Sequence, residues 1–120
     1  VMLHTTANLA IADCTSFRCD KTFNEKSTTP QLYESNCKDI VTSAVTGVNG
    51  TVIAFGQSGS GTTHTLFGSG TIRAADGTAS QSGGGIVHMA AADIFRHVES
   101  HPDRTFSVRA NFLEIINEGV

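Results

Sequence analysis

The chain has 120 residues, a formal net charge of −3 and an isoelectric point near 5.9. That length suffices for one domain with a modest core, and the charge offers no basic surface of the kind that nucleic-acid binding requires. The sequence contains no apolar run of membrane-spanning length and no signal-peptide pattern, so we expect neither a nucleic-acid nor a membrane partner. Three cysteines without metal-ligand spacing favour a reduced, cytoplasmic setting.

The first part of the chain predicts short strands followed by a helix. The strands are expected at Val1–Thr5, Ala7–Ala12 and Ser16–Phe23. Thr28 or Thr29 before Pro30 predicts a helix start, because a capping hydroxyl accepts a hydrogen bond from a free backbone amide and proline at the first helical position loses none. Gly47 predicts the end of this helix. Apolar residues recur between these points with helical spacing, at Tyr33, Cys37, Ile40, Val41, Ala44 and Val45.

A glycine-rich loop follows a β-branched and aromatic run. Thr51–Phe55 predicts a strand covered on both faces. Gly56–Thr63 then has the spacing of a Walker A phosphate loop, G-x-x-x-x-G-K-[ST], with threonine at Thr62 where that loop has lysine. Its glycines lack a Cβ, so backbone N–H groups can approach a phosphate closely. A helix starting near Gly61 would direct its unpaired N–H groups toward the same anion.

The remainder predicts a loop, a helix and a strand. Residues 68–85 are rich in glycine, serine, alanine and threonine and predict a mobile surface loop after a short helical turn that ends near Leu66. Ile86–Ser100 has helical periodicity, and His101-Pro102 predicts its end. Thr105–Ile116 predicts a strand, with a change in the apolar alternation near Phe112 that a bulge would explain.

The segment NGTVIAFGQSGSGTTHT resembles the phosphate loop of kinesin motor domains, NGT-[apolar]-x-A-[Tyr/Phe]-G-Q-T-x-S-G-K-T-[His/Tyr]-T-M. The flanking segments are also similar to the corresponding parts of that family. These segments are Phe17–Phe23, Gln31–Tyr33, Gly85–Val87 with Asp93–Phe95, and Val108–Glu118. The similarity extends over almost the whole chain but covers only about the first third of such a motor. Another class of P-loop enzyme is therefore a weaker interpretation.

The resemblance implies an α/β fold, with a central mixed β-sheet flanked by helices, in which residues 1–120 form the N-terminal part of a P-loop motor domain and 68–85 form its flexible insertion loop. It implies ATP or ADP with Mg²⁺ as cofactors, Thr63 as the Mg²⁺ ligand and His64 beside the adenine. The implied nucleotide-binding residues are Gly56, Gln57, Ser58, Gly59, Ser60, Gly61, Thr62, Thr63 and His64. We assign no catalytic residue. Microtubules would be a partner of the complete parent protein, through parts outside this chain, and the location would be the cytoplasmic cytoskeleton.

Thr62 leaves open whether ATP is bound and hydrolysed. The lysine that it replaces would reach the β- and γ-phosphates, and a threonine hydroxyl is neutral and too short to do so. The family's switch motifs, N-x-x-S-S-R-S-H and D-x-A-G-x-E, do not occur in the sequence. Two hypotheses therefore stand: part of a microtubule motor ATPase, or a hydrolysis-deficient relative that serves as a microtubule-binding or scaffolding module. In either case we expect the segment to belong to a longer polypeptide or to be covered by another chain.

Overall fold

The computed structural model describes residues 19–69 and 83–115. Within these ranges the helices are α1 (Thr29–Leu32), a π-helical turn (Tyr33–Cys37), α2 (Lys38–Val45), α3 (Thr62–Phe67) and α4 (Ile86–Glu99). The first three follow one another without a break, and we call them together the N-terminal helical run. None of the helices in the described ranges is long and apolar enough to cross a membrane.

Thr28 caps the N-terminal helical run, as the sequence predicts. Its backbone is extended, with φ −100° and ψ 155°, and its side-chain hydroxyl accepts a hydrogen bond from the Gln31 amide at 3.4 Å. The Gln31 side chain in turn accepts from the Thr28 amide at 2.9 Å. This reciprocal arrangement is a capping box, which satisfies two of the backbone donors that a helix start leaves free. Pro30 is the second helical residue rather than the expected first, because Thr29 already belongs to the helix.

Gly47 ends the N-terminal helical run, which confirms the predicted stop. Its φ of 106° lies in the left-handed region, and its amide donates to the Ala44 carbonyl at 3.1 Å. The Val48 amide donates to the Ser43 carbonyl, also at 3.1 Å. These two bonds form a Schellman motif, in which a left-handed residue lets the chain satisfy the last helical carbonyls while it leaves the helix. The chain is thereby turned toward Thr51 and the glycine-rich loop.

The buried core joins the N-terminal helical run to α4. Leu32, Tyr33, Cys37 and Ile86 are buried to 7% exposure or less. Partly buried apolar side chains pack around these four, namely Phe23, Val41, Val52, Leu66, Met89 and Ala90. Because Leu66 lies on α3 and Val52 precedes the glycine-rich loop, the same small core holds both flanks of that loop.

Helix α4 is observed where the apolar periodicity of the sequence predicts a helix. It was predicted over Ile86–Ser100 and is observed over Ile86–Glu99, with Ser100 as its C-cap. The Ser100 amide donates to the Arg96 carbonyl at 3.1 Å, which closes the last turn. The chain then leaves the helix at His101, ahead of the proline at 102.

Thr51–Phe55 and residues 105–115, both predicted as strands, form no strand in the described ranges, and neither do residues 19–23 of the predicted strand Ser16–Phe23. In Thr51–Phe55, Ile53 is 70% and Phe55 is 94% exposed, so the described residues do not provide the predicted cover on both faces of this segment. In 105–115, Phe112 is 89% exposed. The physical reason is that a strand is buried only where neighbouring strands and helices cover it, and no described segment pairs with either one. The central sheet therefore stays a prediction.

The ends of the predicted insertion loop lie close together. Gly68 and Gly84 form an isolated antiparallel bridge, and the Ser69 amide donates to the Gly83 carbonyl at 3.3 Å. These contacts join the end of α3 directly to the start of α4. Residues 70–82 of the loop, the strands predicted at Val1–Thr5 and Ala7–Ala12, and residues 16–18 of the third predicted strand lie outside the described residues.

Candidate phosphate-binding loop

The glycine-rich loop lies between the segment Thr51–Phe55 and helix α3. A turn opens it, in which the Ser60 amide donates to the Gln57 carbonyl at 3.0 Å. Gly59 and Gly61 have φ values of 84° and 92°, in the left-handed region that residues with a side chain rarely adopt. Gly61 is also the N-cap of α3, and its carbonyl accepts the first helical bond from the Thr65 amide at 2.9 Å. The glycine turn and the helix start therefore follow in the predicted order, whereas the strand expected before them is not formed in the described residues.

Backbone donors in this loop are available to an anion. Among the residues that the structure describes, the amides of Gly59, Gly61, Thr62 and Thr63 donate to no protein acceptor. Alternation of left-handed and ordinary backbone conformations produces a concave group of N–H donors that binds phosphates in many proteins. A loop whose donors were already used within the protein could not do this. The observed backbone thus fits a phosphate group.

Gly56 and Thr62 lie together at the base of the loop. A Cβ at Gly56 would collide with the hydroxyl of Ser60 and lie 3.4 Å from the Thr62 methyl group. Close packing against the Ser60 side chain therefore favours glycine at this position. Thr62 is the first residue of α3 and is half-buried against this base.

Thr63 and His64 occupy the first turn of α3, and both are exposed. A hydroxyl in this place could ligate Mg²⁺, because threonine oxygen is a hard ligand that the ion accepts beside substrate phosphates. The exposed imidazole of His64 could lie beside a planar base. In the two described ranges, no group of three or more histidine, cysteine or acidic side chains could hold a metal ion by itself. The loop would therefore take Mg²⁺ together with a phosphate ligand.

Two clefts adjoin the loop, and the start of the N-terminal helical run lies between them. The smaller has a volume of about 310 Å³ and is lined by Gly61 and His64 together with Thr28 and Thr29. The larger has a volume of about 860 Å³ and is also lined by Thr28, Thr29 and His64. Sequence reasoning recognised the two threonines only as a helix start. That they line the same clefts as His64, which is distant along the chain, is a tertiary feature for which the sequence pattern gives no signal.

Two pairs of charged side chains line the larger cleft. The Tyr33 hydroxyl donates to Asp93 at 2.8 Å, and Arg96 also donates to that carboxylate. On the wall formed by the N-terminal helical run, the Lys38 ammonium donates to both carboxylate oxygens of Glu34, at 2.7 and 2.9 Å. Every one of these four charges thus has an opposite partner, so the cleft carries no uncompensated charge from them.

The bond between Tyr33 and Asp93 changes the titration of both groups. Burial and the neighbouring carboxylate together raise the pKa of Tyr33 well above its usual value. Burial opposes ionisation of Asp93, but the hydrogen bonds from Tyr33 and Arg96 outweigh it and lower the pKa of that carboxyl. The bond therefore joins a neutral phenol to a carboxylate over the neutral pH range. It fixes α4 against the N-terminal helical run and thereby shapes the larger cleft.

Sequence comparisons give one family for the chain. A profile of the kinesin motor domain matches residues 4–120. The chain is 41% identical over 104 residues to kinesin-like protein KIN-7I of Oryza sativa subsp. japonica, which covers 87% of the chain and 8% of that protein. It is 38% identical over 104 residues to kinesin-like protein KIN-7M, chloroplastic, of Arabidopsis thaliana, covering 87% of the chain and 9% of the relative. It is 36% identical over 105 residues to human centromere-associated protein E, covering 88% of the chain and 4% of the relative. The chain thus spans less than a tenth of the length of these relatives.

Proposed function

Since the chain belongs to the kinesin motor domain family, we propose that it binds ATP or ADP with Mg²⁺ at the loop Gly56–His64, and that its complete parent protein is a microtubule motor. The observation that supports this proposal most directly is the set of free amides at Gly59, Gly61, Thr62 and Thr63. These donors would hold the phosphates, and the left-handed glycines keep the donors in place.

The side chains of the first helical turn have separate roles in this proposal. Thr63 would ligate Mg²⁺ through its hydroxyl, and His64 would lie beside the adenine at the edge of the smaller cleft. Ser58 and Ser60 lie within the loop, where their main chain forms part of the phosphate-binding turn. Gln57 supplies the carbonyl that closes the turn. When bound, Mg²⁺ would offset negative charge on the phosphates.

Thr62 weakens the site in this proposal without removing it. A charge-assisted hydrogen bond contributes about 1.5–3 kcal/mol, so the absent lysine should lower nucleotide affinity by roughly ten- to a hundredfold. Its effect on phosphoryl transfer should be larger, because charge on the transferred group must be stabilised in the transition state. If nucleotide binding needs the lysine, we expect the protein to be a hydrolysis-deficient microtubule-binding or scaffolding protein.

The wider architecture follows from the family and is part of the same proposal. Residues 1–120 would form the N-terminal part of a motor domain with a central mixed sheet, and Thr51–Phe55 and 105–116 would become strands of that sheet once covered. Residues 68–85 would be its flexible insertion loop. The parent would couple ATP hydrolysis to movement along microtubules in the cytoplasm, with a coiled coil beyond the motor domain.

Titration of a fluorescent ATP analogue in the presence of Mg²⁺ tests the proposal. We expect saturable binding by the complete parent protein, binding about ten- to a hundredfold tighter in a Thr62→Lys variant, and ATP turnover that microtubules stimulate. A Thr62→Met variant is the matched control, because it adds a long side chain without a charge and should not tighten binding. Binding that appears only when lysine is restored would favour the hydrolysis-deficient alternative. Absence of binding by both the parent and the lysine variant would refute a nucleotide site at this loop.

A further inference from the structure

Thr29-Pro30 is the one threonine-proline or serine-proline pair in the sequence, since the other proline, Pro102, follows a histidine. Proline-directed protein kinases modify the hydroxyl of a serine or threonine that directly precedes proline. The fold explains Pro30 as a residue of the first helical turn, and this leaves the threonine before it without an assigned role.

The hydroxyl of Thr29 takes no part in the helix cap, whereas that of Thr28 does. Thr28 accepts the capping bond from the Gln31 amide. Thr29 is half-buried on the walls of both clefts, and in the described ranges its hydroxyl makes no hydrogen bond. Proline disfavours the helical conformation in the residue that precedes it, and Thr29 adopts that conformation here. Terminal helical turns also fray readily. Local opening to the extended form that a kinase active site accepts should therefore require little energy.

Thr29 lines the same clefts as residues of the phosphate-binding loop. It shares the smaller cleft with Gly61 and His64, and the larger cleft with His64, Lys38 and Arg96. Both cations of the larger cleft are already paired with carboxylates. A phosphate on Thr29 would therefore add uncompensated negative charge to a space that adjoins the site proposed for the nucleotide.

We propose that Thr29 is a phosphorylation site for a proline-directed protein kinase, and that its phosphate lowers the affinity of the adjacent loop for nucleotide. In the transfer step, the Thr29 Oγ1 attacks the γ-phosphorus of a MgATP molecule held by the kinase. A bond between Oγ1 and phosphorus forms, the bond from the γ-phosphorus to the β–γ bridging oxygen breaks, and ADP leaves. The hydroxyl proton passes to the catalytic carboxylate of the kinase.

The regulatory half of this proposal rests on the function proposed above. Phosphothreonine carries a charge of about −1.5 to −2 at neutral pH, so it would repel the polyphosphate of a nucleotide across the smaller cleft. This repulsion should be strongest at low ionic strength, because salt screens charges that face a solvent-filled cleft. Nucleotide affinity of the modified protein should accordingly recover in part as salt is added.

Treatment of the purified protein with a proline-directed kinase and MgATP tests the modification directly. Mass spectrometry should place one phosphate on Thr29, and none should be found there in Thr29→Ala or in Pro30→Ala, which keeps the hydroxyl but removes the recognition element. A heat-denatured sample serves as the control for kinase recognition. Phosphorylation of Thr29 in the denatured sample but not in the folded protein would overturn the proposal, and so would its absence in both.

Two readouts then test the consequence for the loop. Phosphorylation should lower the affinity for a fluorescent MgADP analogue by about tenfold or more, and it should shift the ring resonances of His64 in NMR spectra while those of His101 stay in place. An unchanged affinity in a protein that binds nucleotide would overturn the regulatory half. If the unmodified protein binds no nucleotide, the function proposed above fails. The position of the phosphate found by mass spectrometry and the His64 resonances still decide this inference, and unshifted His64 resonances overturn it.

Discussion

The hydrogen bond between Tyr33 and Asp93 offers a direct test of how α4 is fixed against the N-terminal helical run. Tyr33 is only 2% exposed, and its hydroxyl donates a hydrogen bond of 2.8 Å to an Asp93 oxygen. A Tyr33→Phe change therefore leaves this oxygen without its hydrogen-bond donor. A hydrogen bond to a charged group contributes about 1.5–3 kcal/mol. Asp93 keeps its ion pair with Arg96, and the Asp93 side chain is 17% exposed. We therefore expect the free energy of unfolding to fall by an amount near the lower limit, about 1.5 kcal/mol.

Chemical denaturation of the wild type, Tyr33→Phe, Asp93→Ala and the double variant measures this bond as a coupling free energy. A loss of about 1.5 kcal/mol should lower the melting temperature by roughly 5–10 °C for a domain of this size. Thr42→Val is the matched control, because it removes an exposed hydroxyl that bonds to the Lys38 carbonyl on the same helical run and should cost less than about 0.5 kcal/mol. A coupling free energy near zero between Tyr33 and Asp93 would refute the reasoning.

Two further predictions concern the loop and the titration of the core. A Gly61→Ala change should lower the free energy of unfolding by about 1–2 kcal/mol because φ is 92°, although no atom lies within 4 Å of the added Cβ. An equal effect of Gln57→Ala, which adds no Cβ, would contradict this reason. The pKa of Asp93 is lower in the folded than in the unfolded state, so its ionised form stabilises the protein above the usual aspartate pKa and this contribution is lost as pH falls below it. The stability difference between wild type and Asp93→Asn should therefore shrink on acidification from pH 6 to 3, and a difference that stays constant would contradict the assignment.

The helices could be predicted from the sequence because their signals are local. The Thr28 cap, the Gly47 stop and the apolar spacing of α4 each act within a few residues, and the structure shows all three where the sequence indicates them. The glycine loop was equally predictable, since left-handed backbone at Gly61 follows from the residue type and its spacing.

Burial of the predicted strands depends on partners that local sequence does not specify. Thr51–Phe55 has the composition of a covered strand, yet Phe55 is 94% exposed where no described segment pairs with it. A helix satisfies its own backbone, whereas a strand needs a neighbour to do so. The shared cleft of Thr29 and His64 could not be predicted for a related reason, because it depends on how segments that are distant along the chain come together.

The central claim is that the free amides of the glycine loop bind a polyphosphate. Backbone NMR of the isotope-labelled protein during titration with MgADP tests it most directly, because each amide reports separately. We expect saturable shifts of the Gly59, Gly61, Thr62 and Thr63 amide resonances, with inorganic sulfate shifting the same amides more weakly. Resonances of these four amides that stay unchanged at millimolar MgADP, or that shift no more than those of the distant α4 terminus at Glu99, would contradict it.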